Sequence, residues 1–134
     1  MKDLLSKIKV SKVIAPISPA ATGTISGTAV DLSGANSVTF VISAGAQTTT
    51  GITVTPTVVA GSATGSMSAV DDADLIGLES SATLNGTSGA ASSKKIGYIG
   101  TARYASVNLA VTAAATGVYS VQCITEQSVG PQAQ

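Results

Sequence analysis

The chain has 134 residues, the length of one domain. Seven Lys and Arg balance seven Asp and Glu, so net charge gives no reason to expect nucleic acid or an anionic membrane as a partner. There is no histidine, which removes Ser-His and Cys-His pairs, the commonest metal ligand and the commonest general base.

Charged residues are 10% of the chain, against roughly 25% in an average soluble domain. Such a surface suits being covered by other protein. More than half of the positions are Ala, Ser, Thr or Gly, with one Phe and no Trp. Apolar burial yields about 25 cal/mol per Å2, set against roughly 1–2 kcal/mol of backbone entropy per ordered residue. A core this thin predicts that subunit contacts supply part of the stability. No apolar run reaches the ~18 residues that span a bilayer. The opening "MKDLLSKIKV" lacks the long apolar core of a secretory leader, so none is expected. One cysteine, Cys123, permits no intrachain disulfide and predicts synthesis in a reducing cytoplasm.

In chain order, residues 1–19 read as a flexible basic arm. Lys2, Lys7, Lys9 and Lys12 stand there with one acid, Asp3. "KDLLSKIK" fits either a short amphipathic helix or an extended segment. From Val13 to Ser93 there is no Lys or Arg, while Asp31, Asp71, Asp72, Asp74 and Glu79 fall in that interval. A basic arm and an acidic middle read as guides to subunit contact or as a solubilising tail. "TISGTAVDLS" is a weak strand. "SVTFVISA" alternates, with Val38, Phe40 and Ile42 on one face. "GITVTPTVVA" puts Ile52, Val54 and Val58 together, and Pro56, which cannot donate to a ladder, predicts an edge or a bulge. "VDDADLIGL" predicts a helical turn, capped by Asp71 or Asp72 and bearing Leu75 and Leu78. "RYASVNLAVT" aligns Val107, Leu109 and Val111; "GVYSVQCIT" aligns Tyr119, Val121, Cys123 and Thr125. "AAATG" between these two reads as a hairpin loop. Turn signals recur at "SGAN", "TTTG", "AGSATGS" and "NGTSGAASS". The expected fold is all-β: an antiparallel β-sandwich or barrel over 20–128, with the N-terminal arm, one or two short helical turns at most, and a flexible tail over 129–134.

Chemistry-bearing patterns are weak. One Cys without His builds no zinc site, and Cys123 reads as a small core residue. Asp71, Asp72 and Asp74 form the one carboxylate cluster, without the spacing of a calcium loop. "GYIG", with Gly97 and Gly100, lacks the helices of a nucleic-acid clamp and reads as a bulge or close approach. No cofactor, small-molecule substrate or enzymatic activity is expected. "KKIGYIGTARY" is the densest stretch, holding two of three tyrosines. Alternation puts Ile96, Tyr98, Ala102 and Tyr104 on one face of a packed strand. Tyr98, Arg103 and Tyr104 are candidates for a protein interface, where Tyr and Arg combine area with a polar handle. The alternative is a core edge, with Arg103 paired to an acid.

"KKIGYIGTARYASVNL", preceded by "VDDADLIG" and, further upstream, by "DLSGANSVTFVISAG" (31–45), resembles a family of small virion proteins of tailed double-stranded DNA bacteriophages. The resemblance spans most of the chain; 46–66 departs furthest, toward Ser, Thr and Ala. It implies a structural part of the particle, foremost a capsid decoration, or cement, protein on the outer surface of the shell, made in the host bacterial cytoplasm. Its implied partners are the major capsid protein and further copies of itself, with a trimer expected. A head–tail connector or tail component is the alternative within the virion. A non-viral surface or carbohydrate-binding β-module is the alternative outside it. The candidate interface set is Lys2, Lys7, Lys9, Lys12, Tyr98, Arg103 and Tyr104.

Overall fold

A computed structural model describes residues 4–48, 50–85 and 91–127. Lys2, the tail expected over 129–134, and parts of the turns expected at 48–51 and 85–93 lie outside the described residues. The strands are β1 (Ile8–Ile17), β2 (Gly23–Ile25), β3 (Val30–Asp31), β4 (Ala35–Ala44), β5 (Thr53–Gly61) and β6 (Ser68–Ala69). They continue with β7 (Leu75–Ile76), β8 (Leu84–Asn85), β9 (Ser92–Tyr98), β10 (Tyr104–Val111) and β11 (Tyr119–Gln127).

Two antiparallel sheets pack as a sandwich. One runs β1-β11-β4-β9-β7; the other runs β2-β10-β5-β6, with β3 also on β10 and β8 also on β5. Successive long strands change sheet, from β4 to β5, β9 to β10 and β10 to β11. That order is a jelly roll, two interlocked Greek keys that leave few long edges.

Period-two patterning decides which residues meet. Val38, Phe40 and Ile42 of β4 face Val54 and Val58 of β5, Val107, Leu109 and Val111 of β10, and Tyr119, Val121 and Cys123 of β11, all buried in one cluster. Thr125 is buried on the same face of β11, and its hydroxyl donates to the Lys9 carbonyl at 3.4 Å. The Tyr119 hydroxyl donates to Gln47 Oε1 at 2.6 Å within the core. Pro56 is fully buried and pairs with Leu109 of β10. Its nitrogen shares the direction of the Val58 backbone groups, away from β10. On that side β8 reaches only Thr53 and Val54, and β6 only Val59 and Ala60, so no ladder partner is lost at residue 56. The Val58 N–H in the gap donates to Glu79 Oε1 at 2.7 Å.

Four expectations change. Most of the basic arm is a strand: β1 pairs with β11 from Ile8↔Glu126 to Ile17↔Tyr119, with irregularities after Lys12 and Ile14. Those irregularities put Val13 and Ile14 both in the core, which breaks the alternation that marks a strand. Residues 112–118 do not form a hairpin, because β10 and β11 lie in different sheets. The link is an arch, held by the Ala115 N–H donating to the Pro19 carbonyl at 2.8 Å. "VDDADLIGL" forms a single 3-10 turn at Asp72–Asp74 and then β7; a second such turn follows at Ser80–Ala82. Asp71 occupies the cap position without a side-chain capping bond, and Leu75 is buried while Leu78 is exposed. Finally, "KKIGYIGTARY" is not one strand: β9 ends at Tyr98 in one sheet and β10 begins at Tyr104 in the other.

Cys123 is fully buried, and burial pushes its thiol up to about 11. The thiolate is the reactive form. A maleimide is therefore expected to leave the native chain unmodified and to label it after denaturation, read as the mass of the adduct. Rapid labelling of the native chain would mean that β11 opens readily.

Candidate protein-interaction surface

Tyr98 closes β9 and is 4% exposed. The chain then folds back over the ring. The Ala102 N–H donates to the Tyr98 hydroxyl at 3.2 Å, and a Cβ on Gly100 would lie 2.6 Å from Cζ of the ring. Gly100 is thus a close approach that only glycine fits. The connection is anchored at both ends: the Ile99 N–H donates to the Asp74 carbonyl at 2.9 Å and the Leu32 N–H to the Arg103 carbonyl at 2.7 Å. Tyr98 is a core pillar and offers no side chain to a partner, which corrects its place in the candidate set.

Arg103 leaves this connection into solvent. Its Nη2 donates to Asp31 Oδ2 at 3.2 Å, and its guanidinium carbon lies 5.2 Å from the centre of the Tyr104 ring. The Arg103 hydrogen bond, aided by the Ser33 N–H and by the charge of Lys9, holds the Asp31 carboxyl below the usual carboxylate range. The pair is present above that depressed range and dissolves as pH falls through it. Both side chains are largely exposed, so it adds little to stability. Lys9, Asp31, Arg103 and the half-buried Tyr104 therefore gather at one end of the sandwich. Lys7 is exposed in the turn before β1, and Lys12 is exposed on the outer face of the five-stranded sheet.

That outer face carries what the sequence did not reveal. Following the register, Val10 pairs with Ile124, Ile124 with Thr39, Thr39 with Gly97, and Gly97 with Ile76. This is one row of side chains crossing the whole sheet. A Cβ at Gly97 would stand 3.0 Å from Ile76 Cβ, so glycine lets Ile76 lie across β9. The row on one side is Lys12, Gln122, Val41 and Lys95; the row on the other is Ile8, Glu126 and Ser37. At the β7 end, Thr39, Lys95, Gly97, Ile99 and Ile76 line an open depression of about 430 Å3. Ile76 is 63% exposed, Ile99 57% and Leu78 50%. Ile76 and Ile99 stand within "VDDADLIGL" and "KKIGYIGTARY", but neither gives a signal until the pairing of β7 with β9 and the Ile99–Asp74 backbone bond bring them together.

Among the described residues, no group of three or more His, Cys, Asp or Glu side chains could hold a metal ion. Phe40, Tyr98 and Tyr119 are buried, which leaves Tyr104 as the partly exposed ring. The features together define an antiparallel β-sandwich with exposed apolar side chains on the outer face of one sheet. The chain matches no protein-family model and no curated protein. Among solved structures it is similar to one described as "Bacillus endospore appendages form a novel family of disulfide-linked pili". The identity is 20%, over 96% of this chain and 98% of that one, with a TM-score of 0.45. It is also similar to the CBM22-1–GH10 modules of Clostridium thermocellum xylanase 10B, complexed with xylohexaose. There the identity is 13%, over 96% of this chain and 26% of that one, with a TM-score of 0.39. This chain thus spans about a quarter of the xylanase chain.

Proposed function

We propose that the chain is a structural assembly subunit that acts by covering protein surface, in the particular form of a decoration protein on a tailed-bacteriophage capsid. The observation that carries the assembly reading is the outer face of the five-stranded sheet. It carries a row with exposed Val10, half-buried Ile124 and exposed Ile76, continued by exposed Ile99 at the β7 end. Exposed apolar side chains flanked by polar and charged rows give a face the means to bind protein, with area from the first and specificity from the second. The capsid form is supported by the resemblance of residues 31–45, 70–77 and 94–109. Binding only the mature shell would lower the free energy of that state and resist the pressure of packaged DNA. A carbohydrate-binding role would rest its ring stacking on Tyr104 alone among the described residues.

The test is the number of copies per purified particle relative to the major capsid protein, by quantitative mass spectrometry. The expected result is a ratio comparable to the shell subunit. A few copies per particle would move the chain to the connector or tail, and absence from particles would overturn the virion reading.

A further inference from the structure

The five-stranded sheet has two unlike edges. Along the order β1-β11-β4-β9-β7 every pairing is antiparallel, so β1 and β7 run in the same direction at opposite sides. The register links Lys9 through Thr125, Val38 and Tyr98 to Leu75, and Val10 through Ile124, Thr39 and Gly97 to Ile76. Lys9 and Val10 are therefore level with Leu75 and Ile76. Because the two strands are parallel, what precedes β1 lies at the same end as what precedes β7. Before β1 stands exposed Lys7, in a turn that also exposes Leu4 and Leu5. Before β7 stand exposed Asp72 and Asp74. Among the described residues no strand pairs the outer edge of β1 or of β7.

We propose that copies of this chain associate head to tail, the β1 edge of one (Lys7, Lys9, Val10) seated on the β7 edge of the next (Asp72, Asp74, Ile76). Charge complementarity selects this pairing over the symmetric ones. Two β1 edges, antiparallel about a two-fold, would set Lys7, Lys9 and Lys12 of one copy along the same lysines of the other, and two β7 edges would give Asp72 and Asp74 no basic partner; like charges on edge strands block the first, and the second lacks the attraction of the mixed pair. Val10 and Ile76 come to the same level, so the charged ends flank an apolar contact. Lys12 falls level with Lys95, which confines the contact to the Lys7–Val10 end. A heterologous contact closes into a ring when its rotation closes and otherwise extends as a filament. The inference rests on the reading of the chain as an assembly subunit and names its first partner as itself.

The test is mass by light scattering of the purified full chain across a salt series, with the variants K7Q/K9Q and D72N/D74N. The wild type is expected to form an oligomer that dissociates as salt rises, since exposed charge pairs are screened. Each variant alone is expected to be monomeric. Their equimolar mixture is expected to stop at a one-to-one dimer, because it retains one intact edge of each kind. Circular dichroism confirms that both variants stay folded; all four positions are exposed. A monomeric wild type at low salt, oligomers that survive either pair of substitutions, or a mixture that stays monomeric would each overturn the contact. A wild type that stays monomeric yet is present on particles at shell-like copy number would overturn this contact and leave the decoration reading standing.

Discussion

Replacing Phe40 with alanine is expected to cost about 3–5 kcal/mol of stability, the range for emptying a buried phenylalanine site. Phe40 is fully buried at the middle of β4, paired with Cys123 on one side and Ile96 on the other. It is the one phenylalanine, in a chain without tryptophan. The core around it is built largely from Val, Ile and Ala, and short or branched side chains on paired strands have little reach to refill a cavity. Small domains are stable by only about 5–15 kcal/mol in all, so the substitution removes a large share. Urea unfolding should show a lower midpoint with an unchanged slope. Val41→Ala, next along the same strand and on the outer face, should cost under about 1 kcal/mol, because half-exposed Val41 leaves no closed cavity. Equal costs for the two would mean that the sheets do not pack through Phe40.

The same strand shows what the sequence made legible. Phe40 and Val41 fall on opposite faces as alternation requires, and the readings of β4, β5, β10 and β11 hold residue by residue. Alternation carries no information on which sheet a strand joins. A short loop such as 112–118 serves a hairpin and an arch between sheets equally well, which is why β10 and β11 read as neighbours. In β1 the consecutive Lys9 and Val10 are both exposed and the irregularities after Lys12 shift the parity, so the strand reads like an arm. The candidate set divides for the same reason. Arg103 was legible as an exposed base with an acidic partner, but Tyr98 reads like Tyr104 until the chain is seen to change sheets between them. The row from Val10 to Ile76 is assembled from five strands and exists only in the register.

Gly27→Ala is the second large effect, expected at about 3 kcal/mol or more for one added methyl group, at the severe end of overpacking. Half-buried Gly27 lies between β2 and β3, in a segment that bridges the two sheets. Its N–H donates to Asn108 Oδ1 at 3.1 Å, and the next residue is fixed from both sheets. The Thr28 N–H donates to the Val13 carbonyl at 2.8 Å, while the Thr28 carbonyl accepts from the Ser106 hydroxyl at 3.1 Å. A Cβ on Gly27 would run into the Val107 carbonyl oxygen, with Val13 Cγ1 also only 2.6 Å away. The first of these is backbone in the middle of β10 and cannot turn aside. Relief requires the β2–β3 segment to lift off the sandwich, losing those three hydrogen bonds. Thermal unfolding should show the loss directly. Gly65→Ala is the control: its Cβ would meet nothing within 4 Å and its backbone is not left-handed, so it should be near neutral. If Gly27→Ala were as mild as Gly65→Ala, the β2–β3 segment would be loosely seated, and the closure of the sandwich along β10 would have to come from β3 alone.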